Sequence, residues 1–398
     1  MSLNFNELDQ WLTMYQLLWR NEPFHHSVNS SPIWQSSYPL LAEWVCQLTT
    51  EEIEFYKSDL NALHKQVSRL IPFELPQPDS MSVDTIDFAP LNLPRGIDSG
   101  IPGRKFAQII AMSQAALKHH AGNQWLEWCS GKGYLGRILA SQSQQRVVSF
   151  EFQSLLCQAG QNEADKLALP MQFVQGDAFS PDADRLFHTQ QHAVALHACG
   201  DLHVTLMQKA AHFGLPALTL SPCCYHLIRH DEYQPLSAQG KASKLRLTRQ
   251  DLRIPLQETV TGGERVKRHR FQEMVYRLGF DLLRRNTLNI QEYQPLPSIK
   301  KSMLAAGFKA FCLWGASHQQ WALPESDWEK YQQQGEQRFW QMERLSLLQD
   351  LFRRPLELWL VMDRAEYLRE QGYRATIHEF CERSVTPRNL LIHAERIK

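Results

Sequence analysis

Between residues 106 and 226 short apolar segments alternate with helical ones, and this alternation constrains the fold more than any other feature of the chain. Phe106 to His119 has helical spacing. Gln124-Trp-Leu-Glu-Trp is a short strand running into Cys129-Ser-Gly-Lys-Gly-Tyr-Leu-Gly, and Leu135 to Ala140 is helical again. Strands follow at Arg146-Val-Val-Ser-Phe-Glu, Met171-Gln-Phe-Val-Gln, His192-Ala-Val-Ala-Leu-His and Pro216-Ala-Leu-Thr-Leu, with helices over 153–168 and Leu202 to Phe213 between them. Strands joined by helices of this length form βαβ units, and those units build a parallel sheet.

The alternation stops at 227 and resumes at 355. Leu356 to Gln371 reads as a helix stopped by Gly372, and Arg374-Ala-Thr-Ile-His-Glu-Phe and Asn389-Leu-Leu-Ile-His-Ala read as a hairpin. The spacing predicts a split α/β domain, 103–226 plus 355–398, around a polar, basic and mostly helical insertion at 227–354. An uninterrupted domain with Phe308-Lys-Ala-Phe-Cys-Leu-Trp as its sixth strand is the competing topology, but it leaves the final hairpin no sheet to join. Upstream, apolar residues at helical spacing over 5–20, 39–49 and 51–71 predict a helical N-terminal domain, 1–71. Six prolines from Pro72 to Pro102 make 72–102 a linker or strap.

Charge is balanced overall, with 42 Lys and Arg against 42 Asp and Glu, yet unevenly distributed. Residues 1–95 hold 5 basic against 12 acidic, and 225–310 hold 16 against 8. No apolar run approaches the ~18 residues of a membrane helix, and the N-terminus lacks a basic stretch followed by an apolar one. Eight scattered cysteines fit reduced thiols. These features predict a cytoplasmic protein that does not enter a membrane, and no obligate protein partner is evident.

The ends of the strands carry the chemistry. Gly131 and Gly133 lie where the first strand enters a helix, a place where a ligand can approach the backbone and unpaired N–H groups. Glu151 ends the second strand, where a carboxylate can accept both hydroxyls of a ribose. Asp177 ends the third, within reach of an adenine amine. A bland reading, in which the two acids only cap the following helices, competes with this one. A dinucleotide site would have Gly at 129 and no acid before it. Here Cys129 stands there, and Glu127 would repel a pyrophosphate. Glu127-x-Cys129-x-Gly131-x-Gly133 instead fits the methyltransferase form, in which the acid faces the charged methionine portion of S-adenosylmethionine. The segments His197-Ala-Cys-Gly-Asp201 and Ser221-Pro-Cys-Cys-Tyr-His226 then end neighbouring strands. Tyr225 could stack on a flat substrate, and Asp201, His226 or His197 could take a proton. Cys199, Cys223, Cys224 and His226 are zinc-type donors, but adjacent cysteines on a strand end should point apart, so no metal is expected. The basic insertion has the composition of a phosphate-contacting surface or of an ordinary solvated face.

Glu127-x-Cys-Ser-Gly-Lys-Gly-Tyr-Leu, His197-Ala-Cys-Gly-Asp-Leu and Cys223-Cys-Tyr-His, in this order, resemble the methyltransferase-like protein twenty-five family. That group shares its core with the glutathione S-transferase C-terminal-domain-containing protein and the tRNA acceptor-stem 2′-O-methyltransferase. Glu357-Leu-Trp-Leu-Val-Met-Asp-Arg364, Leu368-x-Glu-x-Gly372-Tyr and Thr386-Pro-Arg-Asn-Leu resemble its closing helix and hairpin. The resemblance implies a Rossmann-like class I methyltransferase with a seven-stranded sheet and antiparallel last strand. It implies S-adenosylmethionine as cofactor, held by Glu127, Gly131, Gly133, Glu151 and Asp177. Lys132, Arg104 and Lys105 match basic positions of the family, whereas Cys129 stands where it usually has Gly. Together with the basic insertion, the resemblance gives tRNA or rRNA as the expected substrate. A protein or small-molecule substrate, and a non-catalytic binding scaffold, are the alternatives.

Overall fold

The computed structural model describes residues 4–29, 31–71, 83–86, 89–257 and 263–397. Parts of the expected linker (72–82, 87 and 88) and of the expected insertion (258–262) lie outside the described residues. The chain divides into two compact units, one of Met1–Met14, Ser80–Thr261 and Arg353–Lys398, the other of Tyr15–Asp79 and Gly262–Phe352.

The first unit holds one seven-stranded sheet: β1 (Gln124–Trp128), β2 (Arg146–Glu151), β3 (Met171–Gln175), β4 (Gln191–Cys199), β5 (Ala217–Cys223), β6 (Tyr373–Glu379) and β7 (Leu390–Arg396). Their order is β3-β2-β1-β4-β5-β7-β6. β1 to β5 are mutually parallel, and β7 runs antiparallel to both of its neighbours. The closing hairpin therefore joins the sheet of β1 to β5, and Phe308–His318 is a helix rather than a strand. The order reverses between β1 and β4, so a crevice opens outside the carboxyl ends of those strands. Helices α1 (Phe5–Met14), α2 (Gly103–Lys118), α3 (Tyr134–Ser143), α4 (Ser154–Lys166) and α5 (Asp201–His212) belong to this unit. Ile109, Met112, Ile138 and Leu139 of α2 and α3 bury with Trp125 of β1 and Val147 of β2 in one core. At roughly 1.5–3 kcal/mol per side chain, such burial is what holds helices to a sheet.

Two stretches differ from the sequence reading. The helix expected from Leu356 begins at Trp328 and runs to Glu370 through Pro355. An interior proline costs about 3 kcal/mol. Burial of Leu356, Leu358, Trp359, Leu360 and Val361 just beyond it outweighs that. Residues 227–257, expected to be mostly helical, lie in the sheet-bearing unit with one five-residue α-helix, Ala238–Ala242, and one six-residue 3-10 helix, Asp251–Leu256. The buried Asp363 carboxylate holds residues 233–237 out of helix. It accepts from the backbone N–H groups of Leu236 (2.8 Å) and Ser237 (3.0 Å) and from the hydroxyls of Tyr233 (2.6 Å) and Ser237 (2.6 Å). α1 joins the same unit: Asp9 accepts from Trp359 Nε1 at 2.8 Å, and the rings of Phe5 and Trp359 lie 5.3 Å apart.

The second unit is helical among its described residues. Thr49 and Glu52 form a capping box at the start of Thr50–Ser58. Glu264–Leu288 and Phe308–His318 share a core that includes Val275, Leu278, Phe311 and Phe339. Several arginines of the basic segment are tied up here. Arg270 pairs with Glu343, Arg277 with Glu273 and Arg285 with Asp281, while the largely buried Arg284 donates to the Glu292 carbonyl. Among the described residues no helix of the chain is long and apolar enough to cross a membrane.

Two outcomes are expected for the first unit. Asp363→Ala strands four buried donors and should cost about 3–5 kcal/mol, read as a lower urea midpoint at unchanged slope. The second concerns a histidine chain across β4, β5 and β7, in which His192 bonds Thr219 at 2.8 Å, Thr219 bonds His393 at 2.8 Å, and His120 meets His192 at 3.2 Å. Burial holds His192 well below the usual imidazole range and His393 down to about 4; neighbouring histidines push both lower, and Glu395 opposes this at His393. Below about pH 6.5 the unfolded chain takes up protons that these folded rings refuse. Stability should thus be full above pH ~6.5 and fall toward pH ~4, by up to about 1.4 kcal/mol per pH unit for each such ring. Urea unfolding at about pH 7 and about pH 5.5 checks this. A His393→Gln chain should lose less on acidification.

Candidate active site

The turn after β1 is built by left-handed backbone. Cys129 (φ 55°), Gly131 (φ 60°) and Gly133 (φ 69°) all lie in the region that side chains resist. Gly133 caps α3, and a Cβ there would run into the Phe173 ring. A Cβ on Gly131 would meet nothing within 4 Å, so open space lies before that residue. The Gly131 N–H donates to Glu151 Oε2 at 2.9 Å, and Glu151 Oε1 accepts from the Gln153 N–H at 2.9 Å. Each carboxylate oxygen keeps a second lone pair. The Ser130 hydroxyl beside the turn is buried without a hydrogen-bond partner, an unmet group of the kind that a ligand satisfies. An open cradle, an unmet hydroxyl and a carboxylate at the next strand end fit a nucleoside-bearing ligand.

Glu127 lies inside, 3 % exposed, and accepts from the Ser149 hydroxyl at 2.6 Å. Gly136 of α3 comes so near that a Cβ would strike its Oε2. Burial pushes its carboxyl up to about 7, against hydrogen bonds from Ser149, Gly136 and Leu135 and the charge of Lys105. Burial, helped by the Glu151 charge, pushes the Cys129 thiol up to about 12. Asp177 is exposed past the end of β3, with Oδ1 accepting from the Phe179 N–H at 2.9 Å. Lys132 is exposed on the turn. The sequence reading passed over Phe152 and Phe179, which are 68 % and 40 % exposed beside Glu151 and Asp177. Each follows a strand-end acid closely, which was the available signal.

Across the crevice, β4 bulges between Leu196 and Cys199, and His197 takes φ 71°. Gln108 donates to the Val385 carbonyl (3.3 Å), so its oxygen faces His197 Nε2 at 3.0 Å and that nitrogen is the one bearing hydrogen. Asp201 opens α5 and accepts from the Arg229 N–H at 2.7 Å, anchoring the segment after β5. His226 is half-buried with Nδ1 unpartnered, and burial, then the charge of Arg253, lowers its pKa. Tyr225 requires a correction. Its ring is fully buried beneath the Arg364 guanidinium, 5.2 Å away, and its hydroxyl donates toward the Pro222 carbonyl and Glu357, so no ring face is left for a substrate. The expectation that Cys223 and Cys224 point apart also fails. Cys224 takes φ 47°, which ends the alternation of the strand, and the sulfurs of Cys199, Cys223 and Cys224 lie within 4.8 Å of one another. Contacts with Cys199 and Cys223 push the Cys224 thiol down, and contacts with Cys199 and Cys224 push that of Cys223 up.

Residues 104–231 match the family model described as a methyltransferase domain. No curated protein sequence matches the chain. Among solved structures, fibrillarin from Aeropyrum pernix with bound S-adenosyl-L-methionine is similar at 15 % identity, over 25 % of this chain and 45 % of that one, with a TM-score of 0.23. The Pyrococcus abyssi tRNA (uracil-54, C5)-methyltransferase with S-adenosyl-L-homocysteine is similar at 17 % identity, over 29 % and 28 %, TM-score 0.24. Geranyl diphosphate C-methyltransferase from Streptomyces coelicolor A3(2) is similar at 12 %, over 36 % and 59 %, TM-score 0.24. The matched part thus spans less than two thirds of each of these chains. Match and strand order together define the class of this part of the chain: a methyltransferase domain on a Rossmann-like sheet.

The two glycines of the turn should separate on substitution. Gly131→Ala adds only left-handed strain, about 1–2 kcal/mol. Gly133→Ala adds a collision with Phe173 worth about 1–3 kcal/mol more. Urea unfolding of the two variants would show this, and equal losses would contradict the open space before Gly131.

Proposed function

We propose that the protein transfers the methyl group of S-adenosylmethionine to RNA, as a relative of the methyltransferase-like protein twenty-five group. The observation that carries the cofactor reading is the Gly131 N–H bonded to the Glu151 carboxylate before open space, at the carboxyl ends of β1 and β2. When bound, S-adenosylmethionine supplies a methyl group on a sulfonium, and the chain's own groups do the rest. Glu151 accepts the two ribose hydroxyls through its remaining lone pairs. Phe152 and Phe179 flank the adenine, and the free oxygen of Asp177 takes its amine. The Ser130 hydroxyl faces the cationic methionine end, and the charge of Glu127 acts on it from beneath α3. Lys132 and His197 line the same crevice, with Cys129 at its base.

Methyl transfer needs alignment of a nucleophile and, for a hydroxyl, a base. His226 suits that role, since its lowered pKa leaves the ring neutral at pH 7. Asp201 is the second candidate, with one oxygen already holding the Arg229 N–H. Support for a polyanionic substrate comes from charge. The cations acting on His197, Cys224 and His226 are Lys105, Arg388 and Arg253. Lys132, Lys241 and Lys244 are exposed in the same unit, and Arg265, Arg268, Lys300 and Lys301 are exposed in the other.

Tritiated S-adenosylmethionine incubated with extract from cells lacking the protein should label a nuclease-sensitive, protease-resistant fraction. Glu151→Ala should reduce labelling at least about 100-fold, equivalent to ~2.7 kcal/mol of transition-state stabilisation. Label in a protease-sensitive fraction would sink the RNA reading and keep methyl transfer. Cofactor binding without label anywhere would sink transfer itself. RNA affinity should fall with salt, with a log–log slope of about −0.7 per phosphate contacted on a single strand. Cofactor affinity should rise through pH ~7 as Glu127 ionises, changing up to about tenfold per pH unit below that point. Calorimetry with Glu127→Gln should show a flatter profile.

A further inference from the structure

The thiols of Cys199, Cys223 and Cys224 have no part in the transfer described above, yet the fold brings them to one point. β4 and β5 pair in register up to Leu196 opposite Ser221, and the bulge then sets Cys199 opposite Cys223. Their sulfurs lie 3.6 Å apart. Beyond Cys223 the chain turns back through Cys224 in the left-handed region. The turn is held down by the Gly200 N–H on the Cys223 carbonyl (3.0 Å) and the Asp201 N–H on the Leu227 carbonyl (3.0 Å). Gly200 packs so closely on Leu227 that no side chain fits between them. A left-handed cysteine and a left-handed histidine carry strain of order 1–3 kcal/mol each, held here so that three sulfurs face one another.

A tetrahedral zinc ion with Zn–S bonds of about 2.3 Å sets its sulfurs roughly 3.8 Å apart. The Cys199–Cys223 separation of 3.6 Å is close to that, and all three sulfurs lie within 4.8 Å of one another. A disulfide would use two of these thiols at ~2.05 Å and leave the third unused. Among the described residues no further histidine, cysteine or carboxylate joins the three within the same limit. Three protein donors with a free fourth position is the arrangement of an exchangeable rather than a closed zinc site.

We propose that Cys199, Cys223 and Cys224 form a three-thiolate site for a thiophilic d¹⁰ cation of the zinc type, with its fourth position open to an external ligand. Each thiol loses its proton to solvent as a metal–sulfur bond forms, and no electron moves. The site does not depend on the methyltransferase reading, because its readout is spectroscopic.

Cobalt(II) is the probe. Full-length protein, reduced and stripped with chelator, should take up one Co²⁺ per chain and show thiolate-to-cobalt charge-transfer bands with the intense visible bands of tetrahedral Co²⁺. Zn²⁺ should abolish the bands, and added imidazole or a small thiol should shift the visible ones. Cys224→Ser and Cys199→Ser should each weaken Co²⁺ binding at least about 100-fold, whereas Cys46→Ser, outside the cluster, should leave it unchanged. Reduced wild-type protein without thiolate bands would overturn the proposal whatever the variants do. So would bands that persist in Cys224→Ser, or visible bands that no external ligand shifts.

Discussion

The sheet-bearing unit depends on a buried charge. Arg364, 1 % exposed in the helix that closes the fold, donates to His203 Nε2 at 2.7 Å, to the Tyr233 hydroxyl at 3.0 Å and to the Leu360 carbonyl at 2.7 Å. The Tyr233 hydroxyl passes its own hydrogen to Asp363, so a cation and an anion are joined through one phenol. His203 completes the link by donating from Nδ1 to the Ala198 carbonyl in β4. Three pieces far apart in sequence, β4 with α5, the segment after β5, and the closing helix, are thereby locked into one arrangement. Left unpaired, groups buried this deeply would destabilise the fold by several kcal/mol.

That lock sets the working face. Arg364 also covers the Tyr225 ring, and Arg354 ties Glu357 to Glu379 of β6. The segment from Cys223 to Arg229 is therefore pinned over the carboxyl ends of β4 and β5. Cys129, His197 and Cys224, all left-handed, stand at the carboxyl ends of β1, β4 and β5. Strain concentrated on one edge of a rigid sheet is the usual mark of a functional edge. On the other side of the crevice, Glu127, sealed beneath α3, has its carboxyl pushed up to about 7 by lost hydration, while Glu151 accepts from two backbone N–H groups.

Local chemistry was enough to place the strands, the glycine turn and the strand-end acids. A strand buried on both faces must be apolar, and a turn that enters a helix needs residues tolerant of left-handed backbone. The alternation over 106–226 and the closing hairpin therefore appear where their patterns predict. Only tertiary structure could decide what depends on partners distant in the chain. Residues 233–237 stay out of helix because Asp363, more than a hundred residues later, takes the backbone N–H groups of Leu236 and Ser237. Tyr225, an apparent platform by position, is buried with an arginine of the closing helix over its ring. The three thiols converge because a bulge and one left-handed residue cancel the alternation that adjacent strand positions obey. Sequence by itself determined the sheet, its turn and the class of protein, since these follow from nearest-neighbour preferences and hydrophobic period. Tertiary structure determined which side chains reach the crevice, since burial and pairing energies are set by whatever the fold brings alongside.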